Sequence, residues 1–201
     1  MCVIISAETG IMPTTLQLAL MSDTNPDGAG IAWHDGKRLH RYRNVDNEKT
    51  LAFVLSRHDM LQACPFILHF RLATHGAITT ENTHPFAWRK HHDQGFICHN
   101  GIARPYTKGK YASDSRNAIQ AWQEGTETLQ DPRLGYFTSI DQAGRIQWSQ
   151  TPTPITAQGG TIHVSNTNWL AISPASMNED QLFAMWEDGY QTALNDYAPA
   201  R

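Results

Sequence analysis

The chain opens with MCVIIS, residues 1–6, and the fold turns on how Cys2 is read. Val3, Ile4 and Ile5 form a short run of β-branched and apolar residues, the composition of a buried strand. Cys2 is therefore either a small residue at the head of that strand or a thiol fixed at a chain terminus. When the second residue is small, an aminopeptidase can remove Met1, and Cys2 then carries a thiol and a free α-amine together. An α-amine has a reference pKa of ~8, far below that of lysine, so near neutral pH an appreciable fraction is unprotonated and can act as a base. One residue would supply nucleophile and base.

Composition narrows the setting. With 201 residues, 40% hydrophobic and 17% charged, the chain can bury a sizeable core and reads most simply as one domain over residues 2–201. A net charge of −3 gives no electrostatic reason to expect nucleic acid or a membrane as partner. No run of ~18 apolar residues occurs, and the start lacks the basic and apolar segments of an export signal, so a cytoplasmic protein is expected. Cys2, Cys64 and Cys98 are far apart and odd in number, which fits reduced thiols and not a disulfide framework.

Outward from the first strand, short strand-like runs alternate with a few helical patterns and no repeat, so α and β layers should share a core. Leu16–Met21 reads as a helix, and GAGIAW (28–33) and LHRYR (39–43) read as hairpin strands. The apolar positions Leu51, Val54, Leu55, Met60 and Leu61 suggest one helix over 48–63. FILHF (66–70) and GFICH (95–99) read as buried strands, and Ser113 as the N-cap of a helix carrying Ala118, Ile119 and Trp122. GYFTSI, RIQWS, TIHVS and WLAIS are later strand candidates, and Leu182, Phe183, Trp186, Tyr190 and Leu194 trace an amphipathic C-terminal helix. Pro152, Pro154, Gly159 and Gly160 mark residues 151–160 as a surface loop.

Three islands stand out: RLATHG (71–76), NTHPF (82–86) and CHNGIA (98–103). With Cys2, DGAG (27–30) and SDS (113–115), they occur in an order that resembles the class II glutamine amidotransferases, a family of N-terminal-nucleophile (Ntn) hydrolases. The family pattern is Met-Cys-Gly, Arg-x-Ala-Thr-x-Gly, Asn-x-His-Pro, His-Asn-Gly and Ser/Thr-Asp-Thr-Glu, here spread over residues 2 to about 122. The resemblance implies a four-layer αββα sandwich of the α+β class. It also implies cysteine-dependent release of ammonia from glutamine through a thioester at Cys2.

Site roles follow from the resemblance and from chemistry. Asn100, through its side-chain amide, and Gly101, through its backbone N–H, would face the oxyanion of the tetrahedral intermediate; Asn-Gly is also the strongest short hairpin signal, and one glycine can serve both ends. Arg71 would grip the substrate α-carboxylate, assisted by Thr74 and His75, and Asp114 would balance the α-ammonium with the Gly101 carbonyl. Asn82 and His84 would brace the pocket. No cofactor or metal ion is called for: His84, His91, His92, His99 and Cys98 lack conventional ligand spacing.

Departures from the pattern bear on activity. Val3 replaces the usual glycine and is expected to crowd the backbone beside the nucleophile. Leu72 takes the place of a Trp found in some relatives. Arg116 replaces the acid of the Thr-Asp-Thr-Glu segment, which removes a reciprocal cap to Ser113 and brings a positive charge near Asp114. No nucleotide-binding fingerprint follows, so ammonia is expected to pass to a separate synthase subunit or to solvent. The alternatives are hydrolysis of another γ-glutamyl amide, or an inactive binding or regulatory protein on the same scaffold.

Overall fold

In the computed structural model, residues 2–73 and 76–170 are described. They form two antiparallel sheets. The first has six strands, built from β1 (Val3–Ala7), β2 (Ala29–His34), β3 (Leu39–Asn44), β4 (Phe66–Phe70), β9 (Thr153–Ala157) and β10 (Gly160–Val164), in the order β3-β2-β4-β1-β10-β9. The second has four, β5 (Phe86–Lys90), β6 (Asp93–Asn100), β7 (Tyr136–Asp141) and β8 (Ile146–Trp148), in sequence order. Among the described residues there are four α-helices: α1 (Thr15–Asp23), α2 (Asn47–Leu55), α3 (His58–Gln62) and α4 (Asp114–Gln123).

Period-two alternation along the strands explains the layering. On β1, Val3, Ile5 and Ala7 join Leu18, Met21, Val54, Leu68 and Phe70 in a core between the first sheet and helices α1 and α2. Ile4 points the other way and meets Ala32, Ile67, Cys98 and Ile140 between the two sheets. A third apolar layer, with Phe86, Trp88, Ile97 and Phe137 from the second sheet, is covered by Ala118 and Ile119 of α4. The order helix, sheet, sheet, helix is the αββα sandwich.

Local signals fix the helices. Thr14 and Gln17 form a reciprocal capping box at α1, and Asp46 caps α2 through the Glu48 and Lys49 N–H groups. Ser113 caps α4 by accepting from the Arg116 N–H at 3.4 Å.

Three expectations need correction. The single helix over 48–63 is two, because its apolar face breaks register: after Leu51, Val54 and Leu55 the next positions on that face are His58 and Asp59. Residues 153–157 are the edge strand β9 and not loop, Pro154 being tolerated at a sheet edge opposite His163. In WLAIS, Trp169 and Leu170 belong to a 3₁₀ turn, Asn168–Leu170. The remainder of that segment and the expected C-terminal helix lie outside the described residues.

Candidate active site

Strand parity carries the key residues to one place. Cys2 shares its face of β1 with Ile4 and Ser6, so its side chain enters the space between the sheets. Val3 pairs with Phe70 and is fully buried toward the helices, so the bulk expected to crowd the nucleophile lies on the opposite face. Because β4 runs antiparallel to β1, Arg71, one residue past its end, comes beside Cys2. Asn100 ends β6 in the facing sheet. The pocket there is lined by Cys2, Arg71, Asn82, His84, Gly101 and Asp114, among others.

Each wall is held by identifiable bonds. The Cys2 thiol donates to the Leu72 carbonyl at 3.5 Å. Arg71 is 5% exposed, and its guanidinium donates to the Ala77 and Gly76 carbonyls at 3.1 and 3.3 Å. Asn82 donates to the same Ala77 carbonyl at 3.1 Å, so both side chains shape the 76–82 loop. Asp114 Oδ2 accepts the Ala103 N–H at 2.7 Å, which ties the head of α4 to the segment leaving Asn100 and Gly101. Gly101 has φ +149°, and a Cβ there would stand 2.9 Å from the Gly135 Cα. Asn100-Gly101 is thus a crowded strand exit and not a two-residue hairpin: β7 returns only at Tyr136, opposite Asn100.

The electrostatics are those of a buried site. Burial pushes the Cys2 thiol up, and the Arg71 charge opposes that. Three histidines beside it are forced toward the neutral form, chiefly by burial: His69 is pushed down to about 3, and His84 and His99 also lie below the usual range. His99 Nε2 meets the Leu134 carbonyl at 2.7 Å, an acceptor only, so that nitrogen carries the proton. Nδ1 then accepts from the Ser115 hydroxyl, also at 2.7 Å. Arg116 lies over the Tyr111 ring, 3.9 Å from its centroid, and forms no ion pair with Asp114.

Sequence reasoning gave no role to three residues that organise this end of the sandwich. The Ser165 hydroxyl accepts from Asn100 Nδ2 and from the Ile4 N–H, both at 2.9 Å. Asn166 donates to the Cys2 carbonyl at 2.8 Å, and Asp27 accepts the Ala73 N–H at 2.7 Å. Ser165 and Asn166 directly follow a legible strand in TIHVSN, which was the available signal. Thr74 and His75 lie outside the described residues. Among the described residues no three His, Cys, Asp or Glu side chains converge as metal ligands, and no helix is long and apolar enough to cross a membrane.

Fold and site together define an N-terminal-nucleophile hydrolase architecture, and comparison with known proteins agrees. Two solved structures superpose on most of the chain. The Bacillus subtilis glutamine phosphoribosylpyrophosphate amidotransferase, complexed with ADP and GMP, matches with a TM-score of 0.52 and 16% identity, covering 86% of this chain and 43% of its own. A structure described as the allosteric regulatory enzyme of purine biosynthesis matches with a TM-score of 0.57 and 18% identity, covering 85% and 43%. The family model of class II glutamine amidotransferases matches residues 1–116, and the chain belongs to that family. A Haemophilus influenzae protein provisionally described as a glutamine amidotransferase is 30% identical over 83 residues, which is 40% of this chain and 28% of that protein. The chain spans less than half the length of each of these relatives.

Proposed function

We propose that the chain is a glutaminase that releases ammonia from glutamine through a thioester at Cys2, once Met1 is removed. The observation that carries this reading is the lining of one pocket by the Cys2 thiol, the buried Arg71, Asp114 and Gly101, the residue that follows Asn100 at the end of β6. The Cys2 α-amine, directly or through one water, takes the thiol proton as sulfur attacks the carboxamide carbon of glutamine. The oxyanion of the tetrahedral intermediate is met by the Gly101 N–H and by Asn100 Nδ2. That amide nitrogen has two protons, of which Ser165 takes one. Losing one such donor typically costs ~2.7–4 kcal/mol of transition-state stabilisation.

As the intermediate collapses, the C–N bond breaks and the ammonium form of the Cys2 amine protonates the departing ammonia. Water then attacks the thioester, releasing glutamate and restoring the thiol. Arg71 holds the substrate α-carboxylate, with Thr74 and His75 assisting, and Asp114 with the Gly101 carbonyl holds the α-ammonium. Asn82 and His84 brace the walls. The released ammonia passes to a synthase that consumes it or to solvent.

The test is incubation with 6-diazo-5-oxo-L-norleucine, mapping of the adduct, and assay of glutamate release. Labelling at Cys2 and loss of turnover in Cys2→Ala are expected. Adducts confined to Cys64 or Cys98, turnover untouched by Cys2→Ala, or an intact mass that retains Met1 would overturn the mechanism. Faster turnover of a γ-glutamyl amine than of glutamine would reassign the substrate.

A further inference from the structure

The Cys2 pocket is the smaller of two cavities at this end of the second sheet. A separate cleft of about 240 Å³ lies between the edge strand β3, the start of β5 and helix α4, and none of its lining residues also lines the Cys2 pocket. Three arginines enter it. Arg41 and Arg43 are two residues apart on β3, so they project from the same face of an edge strand. Arg116 comes from the first turn of α4, where the family pattern carries an acid.

The three guanidinium groups are placed by neutral contacts, among them Arg41 over the Phe96 ring, 4.8 Å from its centroid. Arg43 Nη1 donates to the Thr83 carbonyl at 2.8 Å, and Arg41 Nη1 to the Pro85 carbonyl at 3.2 Å. Arg116 stacks on Tyr111. No ion pair involves any of the three among the described residues. Glu81, at the rim, is close enough for its charge to be felt at Arg43, but the Arg41 and Arg116 charges act on Arg43 in the opposite sense. Three positive charges against one negative leave a net of two. Such an arrangement is costly unless an anion completes it, and guanidinium forks suit oxyanions in two-point contacts. The rest of the lining is apolar or amide: Phe86, Ala87, Ile119, Gln120 and Gln123. At ~30 Å³ per water the cleft has room for roughly eight waters, more than a bare phosphate would displace but less than the ~300 Å³ at which drug-sized sites begin.

We propose that this cleft is a binding site for a small organic phosphate, its dianionic head held by Arg41, Arg43 and Arg116 and its body against Phe86 and Ile119. Phenyl phosphate is the probe, titrated calorimetrically into the full-length Cys2→Ala protein, with inorganic phosphate and benzoate run alongside. Working in Cys2→Ala makes the outcome independent of the glutamine chemistry. Saturable binding of phenyl phosphate is expected, tighter than inorganic phosphate and far tighter than the monoanion benzoate. Arg43→Gln and Arg116→Gln should each weaken it by ~10-fold or more, the loss of one charge-assisted contact. Arg116 holds no backbone carbonyl, so its variant tests the site even if Arg43→Gln folds poorly. Absence of saturable binding, equal binding of benzoate and phenyl phosphate, inorganic phosphate binding as tightly as phenyl phosphate, or unchanged affinity in Arg116→Gln would each overturn the proposal.

Discussion

Lowering the pH from 7 to 5 should destabilise the fold by about 2 kcal/mol through His69 alone. His69 sits on the inner face of β4, fully buried between the sheets, with the His84 ring 4.2 Å away and Phe86 beyond it. Among the described residues no side-chain or backbone group hydrogen-bonds a ring nitrogen of His69 or His84. Burial above all, with the neighbouring Arg71 charge, holds His69 at about 3, against an approach to the His99 backbone that acts the other way. In the unfolded chain its value is ~6.5. The folded-state value is the lower one, so the unfolded state binds the extra proton. The contribution is therefore complete above ~6.5 and is lost as the pH falls toward 3. Integrating the unfolded-state titration from pH 7 to 5 gives about 2 kcal/mol, with a ceiling of roughly 5 kcal/mol near pH 3. His84 and His99 are depressed by the same burial and add in the same direction. Urea unfolding followed by tryptophan fluorescence reads this as a fall in midpoint of about 1 M, for a slope of ~2 kcal/mol per molar. His69→Gln removes the titrating group, so its pH 7-to-5 loss should be smaller than the wild type's by about 2 kcal/mol, whatever its stability at pH 7. Parallel pH dependence in the two proteins would refute the reasoning.

Other perturbations test the site and its frame. Ser165→Ala deprives the Ile4 N–H and Asn100 Nδ2 of their shared acceptor; steady-state kinetics should show kcat falling more than KM rises, and unfolding should show a loss of ~1–3 kcal/mol. Asp114→Asn keeps an acceptor for the Ala103 N–H but removes the charge proposed to hold the substrate ammonium, so KM for glutamine should rise about tenfold or more while the melting temperature changes little. Gly30→Ala would drive a Cβ into the His84 carbonyl and to 2.7 Å from the Arg43 Cβ, so a thermal melt should report at least ~1–3 kcal/mol of destabilisation.

What could be read from the sequence divides along a physical line. MCVIIS and FILHF are apolar on both faces, and strands buried on both sides announce themselves; β1 and β4 lie where those runs stand. The edge strand β9 is half exposed, and Pro154 with the nearby Pro152, Gly159 and Gly160 gives its stretch of sequence the signals of a loop. The same limit applies to the site. Cys2, Arg71, Asn100 and Asp114 are chemically loud residue types inside recognisable islands. Ser165 and Asp27 are ordinary polar residues whose importance arises from the antiparallel register: Ser165 lies opposite Ile4, and the Asp27 N–H donates to the Arg71 carbonyl.

Register also settles what residue type alone left open at Val3 and Arg116. Alternation sends Val3 toward the helices while Cys2 faces the second sheet. On α4, successive residues point in different directions: Asp114 and Ser115 line the Cys2 pocket, and Arg116 lines the arginine cleft. A substitution that in the linear motif reads as a weakened ammonium site is thus, in three dimensions, the third charge of a second site. The segment 81–86 is divided in the same way, Asn82 and His84 facing one cavity, Glu81 and Phe86 the other. One short helix start and one short loop form a common wall, so replacements there have to be assayed at both cavities before either role is assigned.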